Sequence, residues 1–162
     1  MPLQKFFSIY HYKSHFKKLI DLERKAQMRE HLEEIKRLSG KERERRGRAV
    51  LNLRAKYLGV GVGGMHLVRY TREDMPETEI SVGDVVLVSS GRPTGREVQG
   101  TVYEKGKSFI TVAFSEKPPR YALGKRVRID LFSNEITFRR MEEALEMVEK
   151  HPLEDILLQG RC

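Results

Sequence analysis

The chain has 162 residues, 39% hydrophobic and 33% charged, with 31 Lys+Arg against 23 Asp+Glu and one cysteine. That length holds one ordinary domain or a small domain with an extension, no apolar run reaches the ~18–20 residues a membrane span needs, and the Met-Pro-Leu-Gln-Lys-Phe-Phe start lacks the apolar stretch and small-residue cleavage site of a signal peptide. Cys162 alone forms no internal disulfide, so a reducing, cytoplasmic compartment without membrane association is expected.

In chain order, Ser14 to Leu38 reads as one long helix, free of Gly and Pro and ending at Ser39-Gly40, with Ser14 as the expected N-cap. At 1.5 Å per residue it would run roughly 37 Å. Its apolar residues fall on two sides. Phe16, Leu19, Ile20 and Ala26 share one, and Met28, Leu32, Ile35 and Leu38 another, so the two halves are expected to bury against different neighbours, as in a strut. Lys41 to Arg48 reads as a charged connector.

Strand patterning then takes over. Leu51, Leu53, Ala55 and Tyr57 alternate with Asn52, Arg54 and Lys56, a half-buried strand. A Gly59–Gly64 turn leads to a second strand, about Met65 to Tyr70. Ile80-Ser-Val-Gly-Asp feeds a third, Val-Val-Leu-Val. After a Gly91–Gly95 loop, Val98 to Tyr103 and Ser108 to Phe114 flank a hairpin turn at Glu104–Lys107. Lys117-Pro-Pro-Arg120 breaks the pattern before a last strand in which Val127, Ile129 and Leu131 alternate with Arg126, Arg128 and Asp130. Six short strands with Gly and Pro punctuation predict a closed or nearly closed antiparallel barrel, which leaves no exposed edge.

A final helix places Phe138, Met141, Ala144, Leu145 and Val148 on one apolar face, with Thr137 as the expected N-cap and His151-Pro152 as the stop. It is a natural antiparallel partner for the first helix. The expected fold is therefore α+β: a small six-stranded barrel inserted between two antiparallel stalk helices. The expected regions are residues 1–48 (stalk helix and connector), 49–133 (barrel) and 134–162 (returning helix and lead-out). Their basic and acidic residues number 14 and 7, 13 and 9, and 4 and 7, so the basic surplus sits in the first two regions. Either a polyanionic partner or a basic solubilising surface accounts for it.

No motif supplies chemistry. Gly59, Gly61 and Gly64 match the Gly-x-Gly-x-x-Gly spacing, but a strand rather than a helix follows them, so no helix N-terminus waits for a pyrophosphate. Gly106-Lys107-Ser108 resembles the end of a phosphate loop, yet Thr101 stands where the upstream glycine belongs, and the flanks read as a hairpin. No nucleotide site is assigned and ATP hydrolysis is not expected of this segment. His11 and His15 share a helix face without a third metal ligand nearby, and no nucleophile–base set or catalytic carboxylate pair stands out. The functional candidates are the barrel cations Arg92, Arg96, Lys105, Lys107, Lys117, Arg120 and Lys125, with Arg126 and Arg128 beside them. Barrel loops of this kind track the phosphates of single strands while aromatics stack on bases. Tyr103, Phe109, Tyr121 and Phe132 are either stacking groups or core.

Four stretches carry a resemblance. Leu38-Ser-Gly-Lys-Glu-Arg-Glu-Arg-Arg-Gly-Arg-Ala-Val-Leu-Asn-Leu53 resembles the stalk-to-barrel junction of superfamily 1 helicases related to the immunoglobulin-mu-binding-protein and Upf helicases. Ile80-Ser-Val-Gly-Asp-Val-Val-Leu-Val-Ser89 and Gly100-Thr-Val-Tyr-Glu-Lys105 resemble its barrel strands, and Arg128 to Leu145 resembles the return into the stalk. The resemblance covers about residues 14–158. It implies a barrel carried by two stalk helices on a RecA-like motor domain of the same parent protein, and a parent activity of ATP-driven 5′-to-3′ unwinding of DNA or RNA. It also implies that ATP and Mg²⁺ belong to that motor domain, whose motifs are absent from this segment, and that single-stranded DNA or RNA runs near the barrel. The competing expectation is a regulatory module that docks on a motor domain without touching nucleic acid.

Overall fold

A computed structural model describes residues 2–150. It divides into two compact units, Gln27–Glu135 and the flanking pair Met1–Ala26 with Ile136–Cys162. Helix α1 spans Pro2–Arg37 and contributes to both.

In the larger unit, α2 (Gly40–Arg45) leads into β1 (Ala49–Val60), β2 (His66–Thr71), β3 (Val85–Ser89), β4 (Val98–Lys105), β5 (Phe109–Phe114) and β6 (Val127–Ser133). The strands close into a barrel in the order β1-β2-β5-β4-β3-β6, every neighbour antiparallel. Alternation drives the closure: Val50, Leu53, Val68, Tyr70, Val86, Val88, Val112, Ile129 and Leu131 belong to one buried cluster. Tyr70 satisfies its buried hydroxyl by donating to the Ala122 carbonyl at 2.8 Å. The last turns of α1 cover one flank. Ile35, with Met28 and Leu32, packs on Leu87 and Phe132, so β6 is buried on both faces. At Gly95 the backbone has φ +102°, and an added Cβ would lie 2.8 Å from a Leu32 methyl, so only glycine fits there.

The expected connector contains a helix. Ser39 Oγ accepts the Glu42 amide at 3.1 Å, capping α2, and its end closes through Gly47 (φ 81°), whose amide donates to the Glu44 carbonyl while Arg48 donates to Arg43. That turn buries Arg43 completely. Its guanidinium donates to Asp130 Oδ1 at 3.1 Å, Glu34 Oε1 at 2.9 Å and the carbonyls of Arg48 and Leu131, both at 3.1 Å. Arg128 adds two bonds to Asp130, at 2.7 and 2.9 Å, and Arg48 pairs with Glu34. The network ties the end of α1, α2 and β6 together, and its charges are paired as burial requires.

In the smaller unit, α1 and α3 (Glu135–Lys150) pack antiparallel: Ile20 meets Phe138 and Leu145, with Phe16 and Met141 alongside. Arg24 lies 5.0 Å over the Phe138 ring and reaches Glu142 at 3.4 Å. The two apolar sides expected of the first helix are thus used on α3 and on the barrel, each within its own unit.

Four local expectations change. Ser14 is inside α1 rather than at its start, because the stretch before it has no breaker and Pro2 is tolerated in a first turn. Thr137 is likewise inside α3. The first free amide there already has a partner, Glu135 donating to Asp84 Oδ1 at 3.1 Å, and just before it Asn134 donates to Gln27 Oε1 at 2.7 Å. Leu19 and Ala144 are exposed rather than buried. The Val148 side chain, the His151-Pro152 stop and the segment beyond lie outside the described residues. No helix among the described residues is long and apolar enough to cross a membrane.

Candidate nucleic-acid interface

Neither glycine motif builds a phosphate site of the dinucleotide or phosphate-loop kind. Gly59–Gly64 forms the end of β1 and a 3-10 turn running into β2, and Gly106–Ser108 is the tight turn between β4 and β5. No helix starts after either, so these residues do not fit ATP. Among the described residues, no group of three or more His, Cys, Asp or Glu is arranged to hold a metal.

The basic candidates divide by what already holds them. Arg92, in the β3–β4 loop, donates to the Leu38 carbonyl at 3.0 Å and so caps the end of α1. Lys105, at the end of β4, donates to the carbonyls of Ile80 (2.8 Å) and Thr78 (3.4 Å). Arg128 is buried in the ion network, a correction to its place among the loop cations. By contrast Arg96, Lys107, Arg120, Lys125 and Arg126 are exposed, with no side-chain ion-pair partner among the described residues. Lys117 is exposed too and sits 5.8 Å over the Tyr57 ring.

Strand direction spreads these groups. The β3–β4 loop with Arg96 and the β5–β6 connection with Lys117 and Arg120 open at one end of the barrel, while the β4–β5 turn with Lys107 opens at the other. At the first end, the Val98 amide donates to the Tyr121 hydroxyl at 2.8 Å, pinning the β5–β6 connection to β4. Tyr57 stacks on His66 with ring centres 6.1 Å apart and shares a 2.7 Å hydrogen bond with its Nδ1. The stagger of the closed barrel brings Lys125 to a different place, an open cleft of about 600 Å³ shared with Arg54, Arg72, Asp74 and Ser108.

The loop geometry is prepared rather than slack. Glu97 folds back so that its carboxylate accepts from the Thr94 and Gly95 amides at 2.7 and 2.9 Å, bracketing the base of the Arg96 loop. Burial works to raise its pKa, but these bonds outweigh it and hold the carboxyl below the usual range. Of the aromatic candidates, Tyr103 is 52% exposed and free to stack, Phe109 is half-buried under the Arg69 guanidinium at 4.8 Å, Tyr121 is fixed by Val98, and Phe132 is core. Sequence reasoning missed Tyr57 with Lys117 and His66, which the β1–β2 and β2–β5 registers together bring into contact. It also missed Arg54, which alternation marks as outward but not as lining a cleft.

The family model of the SMUBP-2/HCS1 helicase 1B domain matches residues 14–134, from α1 through the closed barrel to the start of α3. This chain belongs to the SMUBP-2/HCS1 helicase 1B-domain family. It is 47% identical over 134 residues to the uncharacterized ATP-dependent helicase MJ0104 of Methanocaldococcus jannaschii, covering 83% of this chain and 20% of that protein. It is 26% identical over 157 residues to the DNA-binding protein SMUBP-2 of Mesocricetus auratus, covering 88% of this chain and 16% of that one. The chain therefore spans a fifth or less of the length of these curated relatives. The matched residues, α1 from residue 14, α2 and the barrel, are a 1B domain, the accessory region of a superfamily 1 helicase. The SMUBP-2/HCS1 match accounts for the resemblance at Leu38–Leu53 and at the barrel strands, all of which fall inside the matched residues.

Proposed function

We propose that this 1B domain serves an ATP-dependent DNA or RNA helicase by gripping or gating single-stranded nucleic acid beside a RecA-like motor domain of the same parent protein. The observation that supports this reading is the division among the barrel cations. Arg92 and Lys105 are engaged by backbone carbonyls, whereas Arg96, Lys107, Lys117, Arg120 and Lys125 hold their charge in solvent without an acidic partner among the described residues. Uncommitted cations on a rigid barrel suit phosphate contacts, because each one that meets a phosphate releases a condensed counterion. Tyr57 beneath Lys117 and the exposed Tyr103 offer flat faces for bases. ATP binding and hydrolysis belong to the motor domain in this reading, and the chain alone is expected to release no phosphate from ATP.

Fluorescence anisotropy of a labelled oligothymidylate tests it. Binding is expected at about 50 mM salt and should weaken steeply by about 200 mM. Absence of binding at low salt would overturn the reading. One observation favours a second: α1 leaves Tyr12, Leu19 and Leu22 at 53, 42 and 59% exposure, the kind of apolar surface a protein partner covers. A 1B domain that binds a purified motor domain tightly and oligothymidylate not at all would replace the first reading with a docking role.

A further inference from the structure

The cleft beside Lys125 owes its chemistry to one irregularity in β1. Val50 and Leu53 both enter the barrel core although they are three residues apart, and the β1–β6 register shifts between them. Simple alternation from Val50 would turn Arg54 toward the core. The extra residue is Asn52, at φ 56°, a left-handed conformation that asparagine tolerates better than most residues. The bulge resets the phase, so that Leu53 is buried and Arg54 faces out into the cleft. Thr71 pins the strand there by donating its hydroxyl to the Arg54 carbonyl at 3.4 Å.

The walls then separate committed from uncommitted charge. Arg72 is fully occupied: it pairs with Glu44, reaches Asp74 at 3.1 Å and donates to the Leu51 carbonyl at 2.9 Å. Arg72's one charge is shared between Glu44 and Asp74, so Asp74, held against the wall, and Glu73 are the two acids among the lining residues. Arg54 and Lys125 line the same space, exposed and without an ionic partner among the described residues. Asn52 and Ser108 add an amide and a hydroxyl to the lining. A planar guanidinium fork, an ammonium and two neutral donors around one open space suit a tetrahedral oxyanion.

We infer that this cleft is a phosphate seat, in which Arg54 and Lys125 grip one phosphate while Asn52 and Ser108 donate to its oxygens. For a phosphodiester of a bound strand the inference rests on the nucleic-acid reading above. A free phosphate group would use the same donors.

The test joins two readouts on the full chain. Inorganic phosphate, followed by ¹H–¹⁵N spectra, is expected to shift the amides of Asn52, Arg54, Ser108 and Lys125 in the native protein and not in R54A/K125A. Oligothymidylate affinity should fall about five- to tenfold in R54A/K125A, and Glu73→Gln should raise it about twofold, since one charge-assisted contact and one repulsion are of that order at an exposed site. Phosphate shifts without any oligothymidylate binding would keep the seat, assign it to a free phosphate and end the nucleic-acid reading. Undiminished oligothymidylate binding by R54A/K125A with no phosphate shifts would overturn the seat and leave that reading standing. Absence of both signals would overturn both. If R54A/K125A melts lower than the native chain, K125E alone carries the same test from a side chain in the exposed loop.

Discussion

In the barrel unit the strands close on themselves, the core is continuous, and the buried Arg43 has a partner in every direction, with Asp130, Glu34 and two carbonyls around it. In the helical unit, α3 and the first part of α1 share a thin seam of Ile20, Phe138 and Leu145, while Leu19, Leu22 and Met147 stay exposed. Closed β topology satisfies its own edges, whereas two helices joined by a narrow apolar stripe draw most of their stability from tertiary packing. The difference suggests a division of labour: a rigid platform for surface chemistry, and a helical pair whose uncovered apolar surface is available to a neighbour.

The largest effect expected is on the platform. Asp130→Ala removes a partner from the fully buried Arg43 and Arg128 together, and should lower unfolding free energy in urea by about 3–5 kcal/mol. A loss below about 1 kcal/mol would show that the network is not what holds α2 against β6. The next sharpens the contrast. Phe138→Ala empties the helical seam at a cost of about 3 kcal/mol, and that loss should be local. Amide exchange should speed up in α3 and the first part of α1 while barrel amides keep their protection. Uniform acceleration across both units would mean that they unfold as one.

A smaller effect is pH-dependent. Burial first, then Arg43 and Arg48, hold the His31 imidazole down to about 4 against the pull of Glu34. The unfolded chain takes up that proton near 6.5 and the folded chain only near 4, so the contribution is fully present above about 6.5 and is lost as pH falls from there toward 4. The melting temperature should drop over that window, and His31→Gln should flatten the drop. Equal slopes in the two proteins would remove His31 from the account.

Much of this architecture was legible beforehand, and the gaps have physical causes. Period-2 runs such as Val127–Leu131 located the strands because closure turns Val127, Ile129 and Leu131 into the apolar core, while Arg128 and Asp130 on the other face enter the buried ion network. The two apolar sides of α1 were visible because each half packs on a different surface. Ser39-x-x-Glu42 and Gly47 were sufficient signals for α2, but the run of charge between them resembles solvated connector, and nothing in a string of Glu and Arg marks Arg43 as the buried one. The sites were harder to read than the fold for the same reason. Arg92, Lys105 and Lys107 are all loop cations in sequence, and only geometry shows that two are held by carbonyls while the third is not. The cleft depends on a one-residue bulge at Asn52 that leaves the hydrophobic pattern after Leu53 intact.

The smallest effect on stability should accompany the clearest effect on function. Lys117→Glu and Arg120→Glu lie on the exposed β5–β6 connection and should change unfolding free energy by no more than about 0.5 kcal/mol. The decisive measurement is therefore the slope of log affinity against log salt for oligothymidylate, in the native chain and in K117E/R120E. The account predicts a steep native slope that becomes shallower by about 0.7 unit for each phosphate the variant no longer neutralises, with the fold intact. A native chain that does not bind at low salt, or a variant whose affinity and slope match the native ones, would contradict it.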